Sequence, residues 1–343
     1  VTGRPRRRVG AAAVLLALAL AACGGGSGSD GSGKSGGGTT TTTKAPPVAP
    51  LTGLPDPTGV AQGRPVLSVK VENTPDVRPQ TGLEAADVVW DEVVEGQITR
   101  FLAMFQSRST DVVGPIRSVR LTDPLIVWPV GGIFAFSGGA QYALNAIRQA
   151  PVTLVDESTA GDAMFRDSSR RPPHNLFGHP DALFAKGGQP VPPPALFGYR
   201  KAGAPATGSP ATSVSIGFAR GYDVTYTWDP AQGGWLRSSS AGPFRARSGV
   251  QIAPANVVVL KVAYAGGLGQ IGAEAQLVGQ GQAWVLTGGA VVQGTWTRTD
   301  RAAPTQLLGP DGAPIALTPG STWVELPDTS YAVTVVAPAA PAP

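Results

Sequence analysis

Apolar positions in this chain fall mostly into short runs with a period of two, cut by Gly, Pro and Asp. RPVLSVKVEN (64–73) alternates and is rich in β-branched residues, which predicts a strand. GLEAAD (82–87) reads as a single helical turn. VVWDEVV (88–94) and ITRFLAMFQS (98–107) flank Gly96 and predict two strands joined at a tight turn. In the second of these, Thr99, Phe101, Ala103 and Phe105 share one face, while Ile98, Arg100, Leu102 and Met104 share the other. Both faces are largely apolar, the mark of a strand covered on both sides. GIFAF (132–136) predicts a further buried strand. Ser137 is placed to cap a helix over AQYALNAIRQ (140–149), with Ala143, Leu144 and Ile147 turned inward.

Strands mixed with a helix predict an N-terminal mixed α/β sheet domain over 51–186. Residues 187–212 are dense in Gly and Pro and read as a connection between domains. Beyond them come short β segments with turn signals and no amphipathic helix: VSIGF, YDVTYTWD, GWLRSS, NVVVLKVAY, GQAWVLTGG, AVVQGTWTR, PIALTPG and TWVELP. They predict a mainly β domain, sandwich- or barrel-like, over 213–330, followed by a strand end and a disordered tail over 331–343. The expected fold class is therefore α+β. No internal repeat is visible.

The first 50 residues have a different texture. TGRPRRRVG is a positive segment, AAAVLLALALAA is an apolar run of signal-peptide length, and Leu20-Ala21-Ala22-Cys23 follows. This is the pattern of a bacterial lipobox. It predicts a lipoprotein signal peptide over 1–22 and a Cys23 that becomes an acylated N-terminus, palmitate being one such acyl group. The apolar run is short of the roughly 20 residues that span a bilayer. Cys23 is the single cysteine of the 343 residues, so its acylation leaves no disulfide to hold the folded part. Residues 23–50, GGGSGSDGSGKSGGGTTTTTKAPPVAP after the cysteine, read as a disordered tether of roughly 30 Å root-mean-square span. The expected location is extracytoplasmic, anchored by lipid to the outer face of the cell membrane.

Charge follows from the same segment. The net charge is +4, but Arg4, Arg6, Arg7 and Arg8 supply all of it; without them 23 Lys+Arg face 23 Asp+Glu. No basic stripe with interleaved aromatics occurs, so the footprint of a nucleic-acid binder is missing.

Catalytic residue types are sparse. There are two histidines, His174 and His179, and HExxH, GxSxG and phosphate-loop motifs are absent. HNLFGH with scattered acids falls short of a zinc ligand set, so neither metal nor cofactor is expected. Four polar groupings stand out. The acidic hairpin carries Asp91, Glu92 and Glu95, with Arg100 on the return strand; a cross-strand ion pair is the simpler reading and a catalytic carboxylate the other. Arg117, Ser118 and Arg120 follow the Gly114-Pro115 turn. On a helical turn the two arginines share a side and clamp an anion; in an extended chain they diverge and one neutralises Glu92 or Glu95. RRPPHNLFGHP (170–180) presents His174 and Asn175 from a stiff loop, either as acid/base and ligand donors or as groups satisfied by backbone. Ser137-Gly138-Gly139 is either an anion pocket or plain turn geometry. Trp228, Trp235, Trp284, Trp296 and Trp323 read as core side chains before they read as a glycan-stacking surface.

RPQTGLEAADVVWDEVVEGQITRFLAMFQS, VGPIRSVR and RRPPHNLF, in that order, resemble the N-terminal domain of the YerB-type bacterial lipoprotein family. NVVVLKVAY, GGAVVQGTWTR and PIALTPGSTWVELP are similar to the family's second domain, so the resemblance spans residues 50–330. It implies a two-domain, surface-anchored envelope lipoprotein whose domains have no established reaction. The family-typical residues it carries over are Arg78, Pro79 and Gln80; Glu95, Gly96, Thr99 and Arg100; Gly114, Pro115, Arg117, Ser118 and Arg120; and Pro173, His174 and Asn175. Where many members have a histidine and a serine around the Gly-Gly before the helix, this chain has AFSGGAQ, which puts any catalysis by that histidine in doubt here.

Together these readings lead to a lipoprotein binding an anionic cell-wall glycan, polymer or envelope protein in a polar cleft. Arg100, Arg117, Ser118, Arg120, His174 and Asn175, with Glu92 and Glu95, are the candidate site residues. The alternative is an envelope-polymer phosphotransferase using the same arginines. The third reading is a scaffold whose arginines are all internally paired.

Overall fold

The computed structural model describes residues 46–218 and 221–339, so Cys23 and the tether up to residue 45 lie outside the described residues. The fold is α+β. Strands β1 (Leu67–Glu72), β2 (Val88–Val93), β3 (Thr99–Phe105), β4 (Gly132–Ala135) and β5 (Val152–Val155) come from the N-terminal region. The β2–β3 hairpin places Trp90 opposite Leu102 and Glu92 opposite Arg100. Its turn at Glu95–Gln97 is made by Gly96 at φ 74° and Gln97 at φ 56°. On its other side β3 pairs antiparallel with β1, which runs parallel to β4, and β4 runs parallel to β5.

The sheet does not stop at β2. Strand Thr322–Leu326 pairs with β2 in parallel and Asn256–Leu260 pairs with it in turn, again in parallel. Gly279–Thr287, Ala290–Arg298 and Gln306–Leu308 complete the order, with Ser209–Pro210 on Ala290–Arg298. Strands of both regions therefore form one eleven-stranded sheet. Every residue of β3 is buried. Phe101, Ala103 and Phe105 pack on one side, Leu102 and Met104 on the other, as the two apolar faces require. Each such Phe or Leu contributes about 1.5–3 kcal/mol by leaving water.

The remaining C-terminal β segments make a second, five-stranded sheet in the order Gly242–Pro243, Gly234–Ser239, Val224–Asp229, Ser213–Ile216, Val333–Val336. Its contact with the large sheet contains a buried ionic cluster. Asp91 and Glu325 are register partners on adjacent parallel strands. Arg237 of the second sheet donates to Asp91 Oδ2 at 2.8 Å and lies 3.7 Å from Glu325 Oε1. The Tyr226 hydroxyl donates to Glu325. The guanidinium also sits over Phe244, Trp323 and Phe101, at 4.4, 5.0 and 5.4 Å from the ring centres. Trp235, Trp284, Trp296 and Trp323 are buried, and the half-exposed Trp228 packs on Trp235 at 5.2 Å, so the tryptophans are core side chains.

The helix after β4 runs Gln141–Ile147, with Ala143 and Ile147 buried. Ser137 does not cap it. Gly138 turns the chain at φ 67°, leaving Ala140 as the residue before the helix, without a side-chain cap. Ser137 instead receives the Ser118 hydroxyl on its carbonyl at 3.1 Å.

Candidate functional site

Three parallel strands, β1, β4 and β5, end at the same edge of the sheet, where open α/β sheets gather their ligands. The segment after Gly114-Pro115 threads between the last residues of β1 and the chain just past β4. Ile116 bridges to Val71, the Arg117 N–H donates to the Lys70 carbonyl at 2.9 Å, and the Ser137 N–H donates to the Arg117 carbonyl at 2.9 Å. Gly114 is needed at the entry. Its φ is +150°, and a Cβ there would meet the Phe177 ring at 2.7 Å and the Leu176 carbonyl at 3.0 Å. The backbone is extended through Arg117, so Arg117 and Arg120 go to different partners and do not form one clamp.

Arg117 lines a cleft of about 480 Å³ together with Ser118, Ser137, Asp156, Ser158 and Arg166. Its side chain is 16% exposed. Nη1 donates to the Pro173 carbonyl at 3.0 Å, while Nε lies 3.5 Å from Glu72 Oε2 and makes no hydrogen bond. Arg166 stands across the cleft on the hairpin Met164–Arg166/Leu176–Gly178. It pairs with Glu157, Nε to Oε1 at 2.6 Å, and donates to Asn175 Oδ1 at 2.8 Å. Asn175 is thus a buried positioning group for Arg166. His174 lies behind the wall of the cleft, with Nδ1 2.9 Å from Glu72 Oε2. A larger hollow of about 730 Å³ beside Pro65, Gly131 and Pro192–Pro194 has no ionisable side chain in its lining, so the chemistry points to the Arg117 cleft.

The other predicted residues form a neighbouring brace. Arg120 holds Glu95 with both arms of its fork, Nε to Oε2 at 2.6 Å and Nη2 to Oε1. Arg100 adds Nη2 to Glu95 Oε1 at 3.3 Å and Nη1 to the Ser118 carbonyl at 3.1 Å. Partial burial alone would raise the Glu95 carboxyl; the Arg120 hydrogen bonds and the charges of Arg120 and Arg100 overcome it and hold it at about 2. Burial, with the repulsion of Arg120, brings Arg100 down to about 10.

Glu92 is not a cleft residue. Its side chain has no exposed surface and pairs with Lys70, whose Nζ also binds Asp123 Oδ1 at 2.8 Å. Burial raises Glu92 above the ordinary carboxylate range in spite of Lys70. Asp91 and Glu92 leave β2 on opposite faces, as alternation demands, Asp91 reaching Arg237.

Sequence reasoning missed Glu72, which joins Arg117 to His174, and Arg166, Lys70 and Asp123. Lys70 and Glu72 carried no signal of burial, since alternation with Val69 and Val71 gives them the pattern of a solvent-facing side.

Two family models cover most of the folded part. Residues 51–189 match the N-terminal domain, and residues 214–324 the C-terminal domain, of a protein of unknown function, DUF3048. The chain belongs to the DUF3048 family. Within the family it is 30% identical over 296 residues to "Putative lipoprotein YerB" of Bacillus subtilis (strain 168), an alignment covering 83% of this chain and 87% of that one. It is also similar to the crystal structure of the YerB protein from Bacillus subtilis, with a TM-score of 0.71 and 25% identity over 84% of this chain and 99% of that one. This DUF3048 chain has, among its described residues, no helix long and apolar enough to cross a membrane.

Proposed function

We propose that this protein is a lipoprotein anchored through Cys23 to the outer face of the cell membrane. Its cleft at the ends of β1, β4 and β5 binds an acidic group of a cell-envelope glycan or polymer. The anchor rests on the lipobox at Leu20–Cys23, the tether to residue 50 and the description of the similar Bacillus subtilis protein as a lipoprotein. The binding reading rests on Arg117. Its guanidinium lines the cleft with a single hydrogen bond to protein, from Nη1 to the Pro173 carbonyl, and its planar fork suits a phosphate or carboxylate. Arg100 and Arg120 are committed to Glu95 and act as a brace that shapes the cleft from behind.

The test is calorimetric titration of the full chain in detergent with a poly(glycerol phosphate) chain at low salt. Arg117→Ala is expected to weaken binding at least tenfold, and Lys201→Ala, an exposed charge far along the chain, to leave it unchanged. Equal losses in both variants would reduce the interaction to general charge attraction. The Arg120–Glu95–Arg100 cluster favours a second reading, a scaffold with internally paired arginines. On that reading Arg117→Ala lowers stability and no polymer binds.

A further inference from the structure

Glu72 terminates β1 with 2% of its side chain exposed and faces two basic side chains, Arg117 and His174. His174 Nδ1 lies 3.0 and 2.9 Å from its two carboxylate oxygens, and the Thr74 hydroxyl donates to Oε1 at 3.1 Å. Arg117 Nε approaches Oε2 only to 3.5 Å, too far for a hydrogen bond. A carboxylate aimed at Nδ1 fixes the neutral imidazole with its proton there, leaving Nε2 to take the next one. The His174 contact is therefore a formed hydrogen bond, and the Arg117 contact is a loose ion pair at the cleft wall.

We propose that Glu72 is an internal competitor for Arg117 and that His174 controls the competition: protonating the imidazole commits Glu72 to His174 and releases Arg117 to an acidic ligand. This rests on Arg117 being the anion site proposed above. Neutral His174 leaves the Glu72 charge to offset Arg117. Protonated His174 neutralises Glu72, and the cleft wall gains a positive charge. Both changes favour an anion as pH falls.

The other charges around the pair are spoken for. Arg100, the register partner of Glu72 on β3, is held by Glu95 and the Ser118 carbonyl. Lys70, on the same face of β1, is held by Glu92 and Asp123. Arg78 bonds Asn73, and Arg170 faces Asp167 at 3.9 Å on the histidine's own loop. Asp76 and Arg171, four and three positions along the chain from Glu72 and His174, are exposed. Among these, histidine is the residue type whose charge ordinarily changes between about pH 5 and 8.

The experiment titrates the full chain with poly(glycerol phosphate) at pH 7.5 and 5.5, at constant ionic strength. The phosphodiester probe does not itself titrate in this window. Affinity is expected to rise about tenfold towards pH 5.5 in the natural chain, to lose that rise in His174→Gln, and to be high at both values in Glu72→Gln. If binding needs Arg117 yet His174→Gln keeps the full pH slope, the gate is wrong and the anion site stands. If Arg117→Ala binds as well as the natural chain, or if nothing binds, the site itself is wrong and the gate falls with it. Should His174→Gln fail to fold, Glu72→Gln carries the same test, since a persisting slope there overturns the proposal.

Discussion

Arg237→Met separates the ionic from the packing role of the cluster between the two sheets. Methionine keeps most of the volume against Phe244, Trp323 and Phe101 and makes its own favourable contacts with aromatic rings. What it removes is the positive charge beside Asp91 and Glu325, whose side chains are 1% and 0% exposed. Leaving a buried charge uncompensated costs about 3–5 kcal/mol, and loss of a desolvated cation from aromatic faces adds up to about 2 kcal/mol. The natural cluster already strains the carboxyls: burial and then the charge of Glu325 push Asp91 well above its ordinary value, and burial raises Glu325 despite Arg237. A carboxyl raised in the folded state binds its proton more tightly there than when unfolded. Its favourable contribution is complete below the ordinary carboxylate range and is lost as pH rises through the folded value. The loss in Arg237→Met should thus be about 3–7 kcal/mol at pH 7 and smaller at pH 5, because both carboxyls are raised and gain protons more readily in the fold as pH falls. Urea unfolding followed by tryptophan fluorescence measures this at both pH values. A loss under about 1 kcal/mol at pH 7, or equal losses at the two pH values, would refute the reasoning, because a charge buried without a partner cannot be that cheap. Adding Asp91→Asn and Glu325→Gln to Arg237→Met should restore much of the loss.

Glu95→Gln carries the opposite pH sign. A carboxyl lowered from 4.5 to about 2 stabilises the fold above its ordinary value, and that contribution vanishes as pH falls towards 2. With the side chain 35% exposed, solvent screening leaves on the order of 1 kcal/mol at pH 7, read as the difference between the two chains' urea midpoints along a pH series. Lys70→Met strips the counter-charge from buried Glu92 and Asp123 and should cost about 3–5 kcal/mol in the same assay at pH 7. Gly114→Ala forces a Cβ against Phe177 and the Leu176 carbonyl at a backbone angle that disfavours alanine; about 1–3 kcal/mol of stability should go, with polymer affinity falling as Arg117 shifts. Cys23→Ser should move the protein from the membrane to the soluble fraction on cell fractionation, and retention on membranes would overturn the anchor.

Much of the sheet was legible because period-two alternation is local. The hairpin at 88–105 and the doubly covered β3 follow from residues within a few positions of one another. The joining of β2 to Thr322–Leu326 has no such signature, since parallel partners from distant stretches of chain leave no mark on either. Helix Thr122–Val127, which brings Asp123 to Lys70, is six residues long, too short to show a helical period. In the site, Arg117, Ser118 and His174 were visible as residue types. Their partners were not, because alternation in β1 gives Ser68, Lys70 and Glu72 the pattern of a solvent-facing side, whereas a second layer buries all three. Spacing alone left Arg117 and Arg120 open between convergence and divergence; the extended path after Gly114-Pro115 decided it.

The parallel seam between β2 and Thr322–Leu326 also constrains how the molecule comes into being. Val88 can find Thr322 only when nearly all of the intervening chain is available. Until then β2 offers one open hydrogen-bonding edge in the middle of what will be the sheet, with its apolar neighbours uncovered. A fragment ending before residue 322 keeps that edge exposed and lacks Glu325, so it should be prone to aggregation and sensitive to proteases. A chain truncated near its end is therefore predicted to lose the whole molecule, where truncation of an ordinary C-terminal module would cost that module alone.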